Sequence, residues 1–94
     1  MMRWMMTALL VGLLHLPVPA VAAPVTIDVT GGDVRAVLLA VARMGGIPLI
    51  VDDSVTGTVT AHLTGEGEEV LRLVAAARGI QIERRGAVFL ALAV

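Results

Sequence analysis

The sequence contains no cysteine. That excludes a disulfide framework, a thiolate nucleophile and a Cys-type zinc site, and it removes the acceptor of a bacterial lipoprotein anchor. Lysine is absent too: all seven basic residues are arginine, and the net charge is −1. The missing lysine reads as a codon-composition effect. No basic patch stands out, which argues against nucleic acid as a partner. Aromatics are nearly missing, with Trp4 near the start and Phe89 the only one after it, so stacking on bases or sugars has almost no material. Ser54 is the only serine.

Apolar residues are abundant, at 57% of the 94 positions and a mean hydropathy of +0.91. The first two dozen residues supply much of that average. Arg3 is a short positive n-region, and Trp4 to Leu14 is an apolar run of signal-peptide length. Pro17 and Pro19 break the segment, and Ala20, Ala22 and Ala23 offer small residues to a signal peptidase. Cleavage is expected after Ala22, giving a signal peptide over 1–22 and one domain over 23–94. The competing reading is a membrane anchor. A span needs roughly 20 apolar residues, and the two prolines with His15 cut this run short. About 70 residues then remain for a fold, a size that buries only about 60% of its unfolded surface. Modules that small usually work docked on something larger.

Val25 to Val29 alternates apolar and polar as a half-buried strand does, and Thr30-Gly31-Gly32 is expected to end it. Asp33 is an N-cap candidate for a helix to about Met44, with Val34, Val37, Leu38 and Val41 on one face and Arg35 and Arg43 off it. Gly45-Gly46 stops that helix. Pro48 to Val51 reads as a short apolar strand. Gly57 to Leu63 alternates again, with Val59, Ala61 and Leu63 on one side and Thr58, Thr60 and His62 on the other. A turn over 64–67 precedes a second helix from about Glu68 to Arg78, with core positions Val70, Leu71, Val74 and Ala77 and acids in its first turn. A closing hairpin pairs Ile80–Glu83 with Val88–Leu90 around Arg84-Arg85-Gly86. The expected fold is α+β: a small βαββαββ sandwich of two helices packed against short mixed sheets. The two halves echo each other, in Gly46-Ile47-Pro48-Leu49 and Gly79-Ile80-Gln81-Ile82.

No set of residues forms a catalytic constellation. His62 and Ser54 fit no nucleophile spacing, and His62 reads as an exposed strand histidine. Asp52-Asp53-Ser54 is too short for a calcium loop and reads as a solvated turn. Glu66, Glu68 and Glu69 are explained by helix-start electrostatics before an acidic docking patch is needed. Arg84-Arg85 reads as a solvated hairpin tip. The glycine pairs are no phosphate loop. The expectation is a protein that is not an enzyme, with no catalytic, metal or cofactor residues and no cofactor.

The sequence after the leader resembles the short N-terminal domain shared by secretins and TonB-dependent transducers, the STN domain. Four stretches carry the likeness: Val25–Val29 followed by Asp33-Val34-Arg35-Ala36-Val37-Leu38; Gly46 to Asp52; Val55 to Leu63; and Val70-Leu71 through Arg78-Gly79-Ile80. Gly57 to Leu63 leans to the secretin branch. Gly65-Glu66-Gly67-Glu68 departs from the apolar residues the family has before its second helix. The resemblance implies a periplasmic protein–protein interaction module, associated with an outer-membrane complex of type II secretion or type IV pilus assembly. Its partner would be a secretin, a pilus or secretion-system component, or an inner-membrane protein, with no small-molecule substrate. The alternative is a transducer-type signalling module that contacts an anti-sigma regulator. A small hydrolase or metal-dependent enzyme is a third reading, disfavoured because the site residues are missing. Lacking the domains that follow in secretins, the chain is not expected to form a channel itself. Docking is expected at an exposed strand edge, nominated at Val25, Thr26, Ile27, Asp28 and Val29, with Thr58, Thr60 and His62 as second choice.

Overall fold

The computed structural model describes residues 24–94. The leader, its cleavage site and His15 lie outside the described residues. The element order is β1 (Val25–Asp33), α1 (Val34–Gly45), β2 (Leu49–Val51), β3 (Thr58–Gly65), α2 (Gly67–Ala77), β4 (Ile80–Arg85) and β5 (Val88–Ala93), the expected α+β order.

The strands form two sheets. β1 and β3 pair antiparallel, while β5 is the middle of a β2-β5-β4 sheet, parallel to β2 and antiparallel to β4. The helices pack on each other, α1 also against β1 and β2, and α2 against β3 and β4. Thus β1-α1-β2 and β3-α2-β4 are equivalent halves, and β5 closes the sheet between their last strands. The echo between Gly46–Leu49 and Gly79–Ile82 corresponds to this repeat.

One core joins both sheets and both helices. Leu38, Leu71, Val34, Val41, Val55, Val70 and Val74 are its largest fully buried side chains, and Val25, Ile27, Val59, Ile80, Ile82, Phe89 and Ala91 surround them. The helix faces are those the spacing predicts. Ala77 is the exception: it is exposed, and Ala75 is buried instead.

Capping sets the helix starts. Asp33, in extended conformation, accepts the Ala36 N–H at 3.2 Å. Glu66 does the same for Glu68 at 3.4 Å, so one of the three acidic residues is a cap. Gly46 ends α1 at φ 65°, and Ile47 turns back to donate to the Ala42 carbonyl at 2.8 Å. Gly67 anchors α2. A Cβ built there would stand 3.0 Å from the Gly45 Cα, so the backbones of the two helices approach closely at this point.

Several boundaries differ from the sequence reading. β1 runs through the glycines to Asp33, because a register shift between Val29 and Gly32 lets Gly32 and Asp33 pair again with Val59 and Thr58. β3 extends to Gly65, held by the pairing of Thr64 and Gly65 with Thr26 and Val25. Arg84 and Arg85 belong to β4, paired with Phe89 and Val88, and the turn is Gly86-Ala87.

Candidate docking surface

The two strand segments nominated as separate docking edges are partners of each other. Val25↔Gly65, Ile27↔Leu63 and Val29↔Ala61 alternate with Thr26↔Thr64 and Asp28↔His62. Val25 and Ile27 are buried and Val29 half-buried, whereas Thr26, Asp28, Thr58, Thr60 and His62 are exposed. The outer face of this sheet is therefore polar. The hydroxyls of Thr26 and Thr64 bond at 2.9 Å, and the Gly31 N–H donates to the Thr60 hydroxyl at 3.0 Å. His62 Nδ1 bonds the Asp28 carboxylate. Sequence reasoning left His62 without a partner, because a residue 34 positions away becomes a neighbour only once the strand register is known. The pair is largely exposed, with side-chain exposures of 56% and 79%, and such pairs contribute about 0.2–1 kcal/mol.

A two-stranded sheet leaves one free edge on each strand, and edge N–H and C=O groups invite pairing with another chain. The three-stranded sheet has two free edges as well, on β2 and β4, and here an arginine covers each. Arg35 of α1 donates to the carbonyls of Val51 at 3.2 Å, Asp52 at 2.7 Å and Val55 at 3.5 Å. Arg72 of α2 donates to the Ile82 carbonyl at 3.3 Å and lies 3.5 Å from Glu68. The guards occupy equivalent halves of the fold. Among the described residues no side chain guards the outer edge of β1 or β3 in this way. Beside the start of β3, Thr58, Val59, Thr60, Ala77 and Arg78 line a shallow open depression, with the Arg78 guanidinium lying over Gly57.

The polar connection after β2 is ordered by its own side chains. Asp52 accepts the Ser54 N–H at 3.0 Å, as an Asx turn does. Hydrogen bonds from the Ser54 hydroxyl and N–H hold the Asp52 carboxyl below its ordinary value against the opposing effect of desolvation, with a lesser contribution from the charge of Arg35. Ser54 also accepts the Ala93 N–H at 3.1 Å, tying the turn to the end of β5. Ser54 thus bonds Asp52 and Ala93, whereas His62 bonds Asp28. Among the described residues no three His, Cys, Asp or Glu side chains stand together as metal ligands would.

With this geometry in place, the architecture defines a class: a secretin N-terminal domain fold. No family model and no curated protein matches the sequence. Solved structures do. The N0 domain of the type II secretin from enterotoxigenic Escherichia coli superposes with a TM-score of 0.67 at 15% identity, over 80% of this chain and 99% of that one. A structure of XcpQN012 matches with a TM-score of 0.65 at 21% identity, over 80% of this chain and 38% of that one. A dimeric cysteine mutant from the N-terminal domain of the secretin XcpQ from Pseudomonas aeruginosa gives 0.61 at 25% identity, over 81% and 36%. The chain thus spans nearly all of the first structure and little more than a third of the other two.

Proposed function

We propose that the protein is a non-enzymatic interaction module of the envelope, of the STN or secretin N-terminal type. It acts in the periplasm, exported by a leader cleaved after Ala22, and docks an envelope protein through an unguarded edge of the β1–β3 sheet. The observation that carries this reading is the contrast between sheets: an arginine donates to one carbonyl on each outer strand of β2-β5-β4, Val51 of β2 and Ile82 of β4, while no side chain does so for β1 or β3 among the described residues. A fold that guards two edges and leaves two open offers the open ones for strand addition. The fold shared with secretin N-terminal domains supports a secretin, pilus or secretion-system component, or an inner-membrane protein, as the partner.

The test is crosslinking in cells followed by purification of the periplasmic protein. The expected result is a mature N-terminus at Ala23 and a crosslinked secretion or pilus component. Recovery of an anti-sigma regulator would favour a transducer-type module instead. A chain retained in the cytoplasm with Met1 intact would overturn the assignment.

A further inference from the structure

The central strand of the β2-β5-β4 sheet is apolar on its outer face as well as its inner one. The helices cover one side, with Leu49, Val51, Ile80, Ile82, Phe89 and Ala91 against the core. The other side carries Val88, Leu90 and Leu92 from β5, all half-buried, and Ile50 from β2, 58% exposed. A sheet with one solvated face alternates apolar and polar residues, whereas a strand apolar on both faces is normally covered on both. β5 reads Val-Phe-Leu-Ala-Leu-Ala throughout, so its sequence is that of a strand covered twice.

Arg85 and Asp52 lie on opposite sides of the centre of this face, and Glu83, ion-paired with Arg85, lies beside it. Register places Ile50, Leu90 and Glu83 in one row, Arg85 beside Val88 in the row below, and Gln81 beside Leu92 in the row above. Asp52 continues β2 into that upper row, its N–H bonded to the Ala91 carbonyl at 2.8 Å. Arg85 and Asp52 therefore occupy opposite corners, each about 8 Å from Leu90 on strand spacings of about 4.8 Å and rises of about 3.3 Å. A twofold axis lying in the face and passing through Leu90, across that diagonal, sets Arg85 of one copy on Asp52 of the other, twice. It also crosses the strands of the two copies near a right angle, one of the two ways sheets pack face to face. Arg85 already donates to Glu83 at 2.9 Å, but a guanidinium has five N–H donors and can donate to a second carboxylate as well.

The geometry points to a second copy of this chain as the occupant of this face, joined through Leu90 on the twofold and paired charges at Arg85 and Asp52. The patch of four aliphatic side chains is small beside the roughly 800 Å² per partner of a stable complex, so the association is weak and depends on concentration. The face lies across the helix layer from β1–β3, so self-association and edge docking do not compete, and the inference does not depend on the proposed function.

Sedimentation of the chain recovered from cells, over a concentration series up to about 1 mM where weak complexes populate, tests this. A monomer–dimer equilibrium is expected, weakened by Leu90→Lys at least about tenfold. Ile50→Thr should weaken it less, and circular dichroism shows whether each variant is folded. Arg85→Asp and Asp52→Arg should each weaken the dimer about twofold to fivefold, and an equimolar mixture should regain it as a heterodimer. A monomer throughout the series, a dimer that folded Leu90→Lys leaves intact, or charge variants that fail to complement would overturn the inference. A wild-type monomer that loses binding to another protein on Leu90→Lys would assign the face to that protein instead.

Discussion

Arg35 on α1 donates to the backbone carbonyl of Asp52 at 2.7 Å, just beyond the end of β2. The same guanidinium reaches Val51 and Val55, so one side chain serves three carbonyls of an edge strand and its following turn. Its bond to Asp53 is long, at 3.8 Å, and Asp53 is fully solvated, so the carbonyls and not the acid explain its position.

Arg35→Ala should therefore lose more than a surface charge. Hydrogen bonds from a charged donor contribute about 1.5–3 kcal/mol, and partial exposure of this one places the expected loss near the lower bound. Urea denaturation measures it. Arg35→Lys should recover only part, because an ammonium lacks the planar fork that spans several acceptors. Equal stability of Arg35→Ala and wild type would show that the β2 edge needs no guard.

Gly67→Ala tests the contact between the helices. In an exposed helix the change would stabilise by about 0.8–1.0 kcal/mol. Here the new methyl meets the Gly45 Cα at 3.0 Å, and backbone cannot step aside as a flexible side chain can. Overpacking of this kind costs about 1–3 kcal/mol, so a net loss is expected, read as a lower melting temperature. Glu69→Ala, on the exposed side of the same turn, removes only a favourable helix-start charge of about 0.3–1 kcal/mol and should lower it less.

Much of this fold was legible in the sequence. The spacing of Val34, Val37, Leu38 and Val41 fixed the inner face of α1, and Asp33 marked its cap. The alternation of Val59, Ala61 and Leu63 against Thr58, Thr60 and His62 fixed the faces of β3. What escaped was everything that depends on which strands meet. Asp28 and His62 bond, and Arg35 covers β2, only because register and topology bring distant residues together. The strand ends were misplaced for the same reason: Thr64 and Arg85 are turn-like by composition, yet pairing across the strand holds them extended. The uniform apolarity of β5 was readable, but its meaning required knowing that one face is uncovered.

Leu38→Ala and Leu71→Ala probe the core from its two halves. Both side chains are fully buried, and such truncations cost about 2–5 kcal/mol. A domain of this size has a total stability at the low end of about 5–15 kcal/mol, so each variant should be partly unfolded at 37 °C by circular dichroism. Native melting of both would mean that the helices do not pack as described.

The Asp52 turn predicts a pH dependence with a definite sign. Its carboxyl is held below its ordinary value of 3.8 by Ser54, so the folded state favours the ionised form. That stabilisation is fully present above the unfolded value and is lost as pH falls through the lower, folded one. Asp52→Asn should thus be less stable than wild type at neutral pH, and the gap should narrow below about pH 4. Because Asp52 is solvated the gap is small, and denaturation midpoints at several pH values resolve it. A gap that widens with acid would contradict the turn geometry.

The docking edge can be tested by proline, which has no N–H to donate. Consecutive N–H groups along a strand point to opposite edges, so at Asp28 and Val29 one faces β3 and the other faces outward. Asp28→Pro and Val29→Pro are therefore expected to behave differently. The variant that removes a bond to β3 should melt lower, since β1 and β3 have only each other in their sheet. The other should stay folded and lose the partner found by crosslinking, because an added strand would find no donor there. Affinity and melting temperature are measured for both. Should the folded variant bind its partner as wild type does, β1 is not the docking edge, and the outer edge of β3 beside Arg78 becomes the surface to test next.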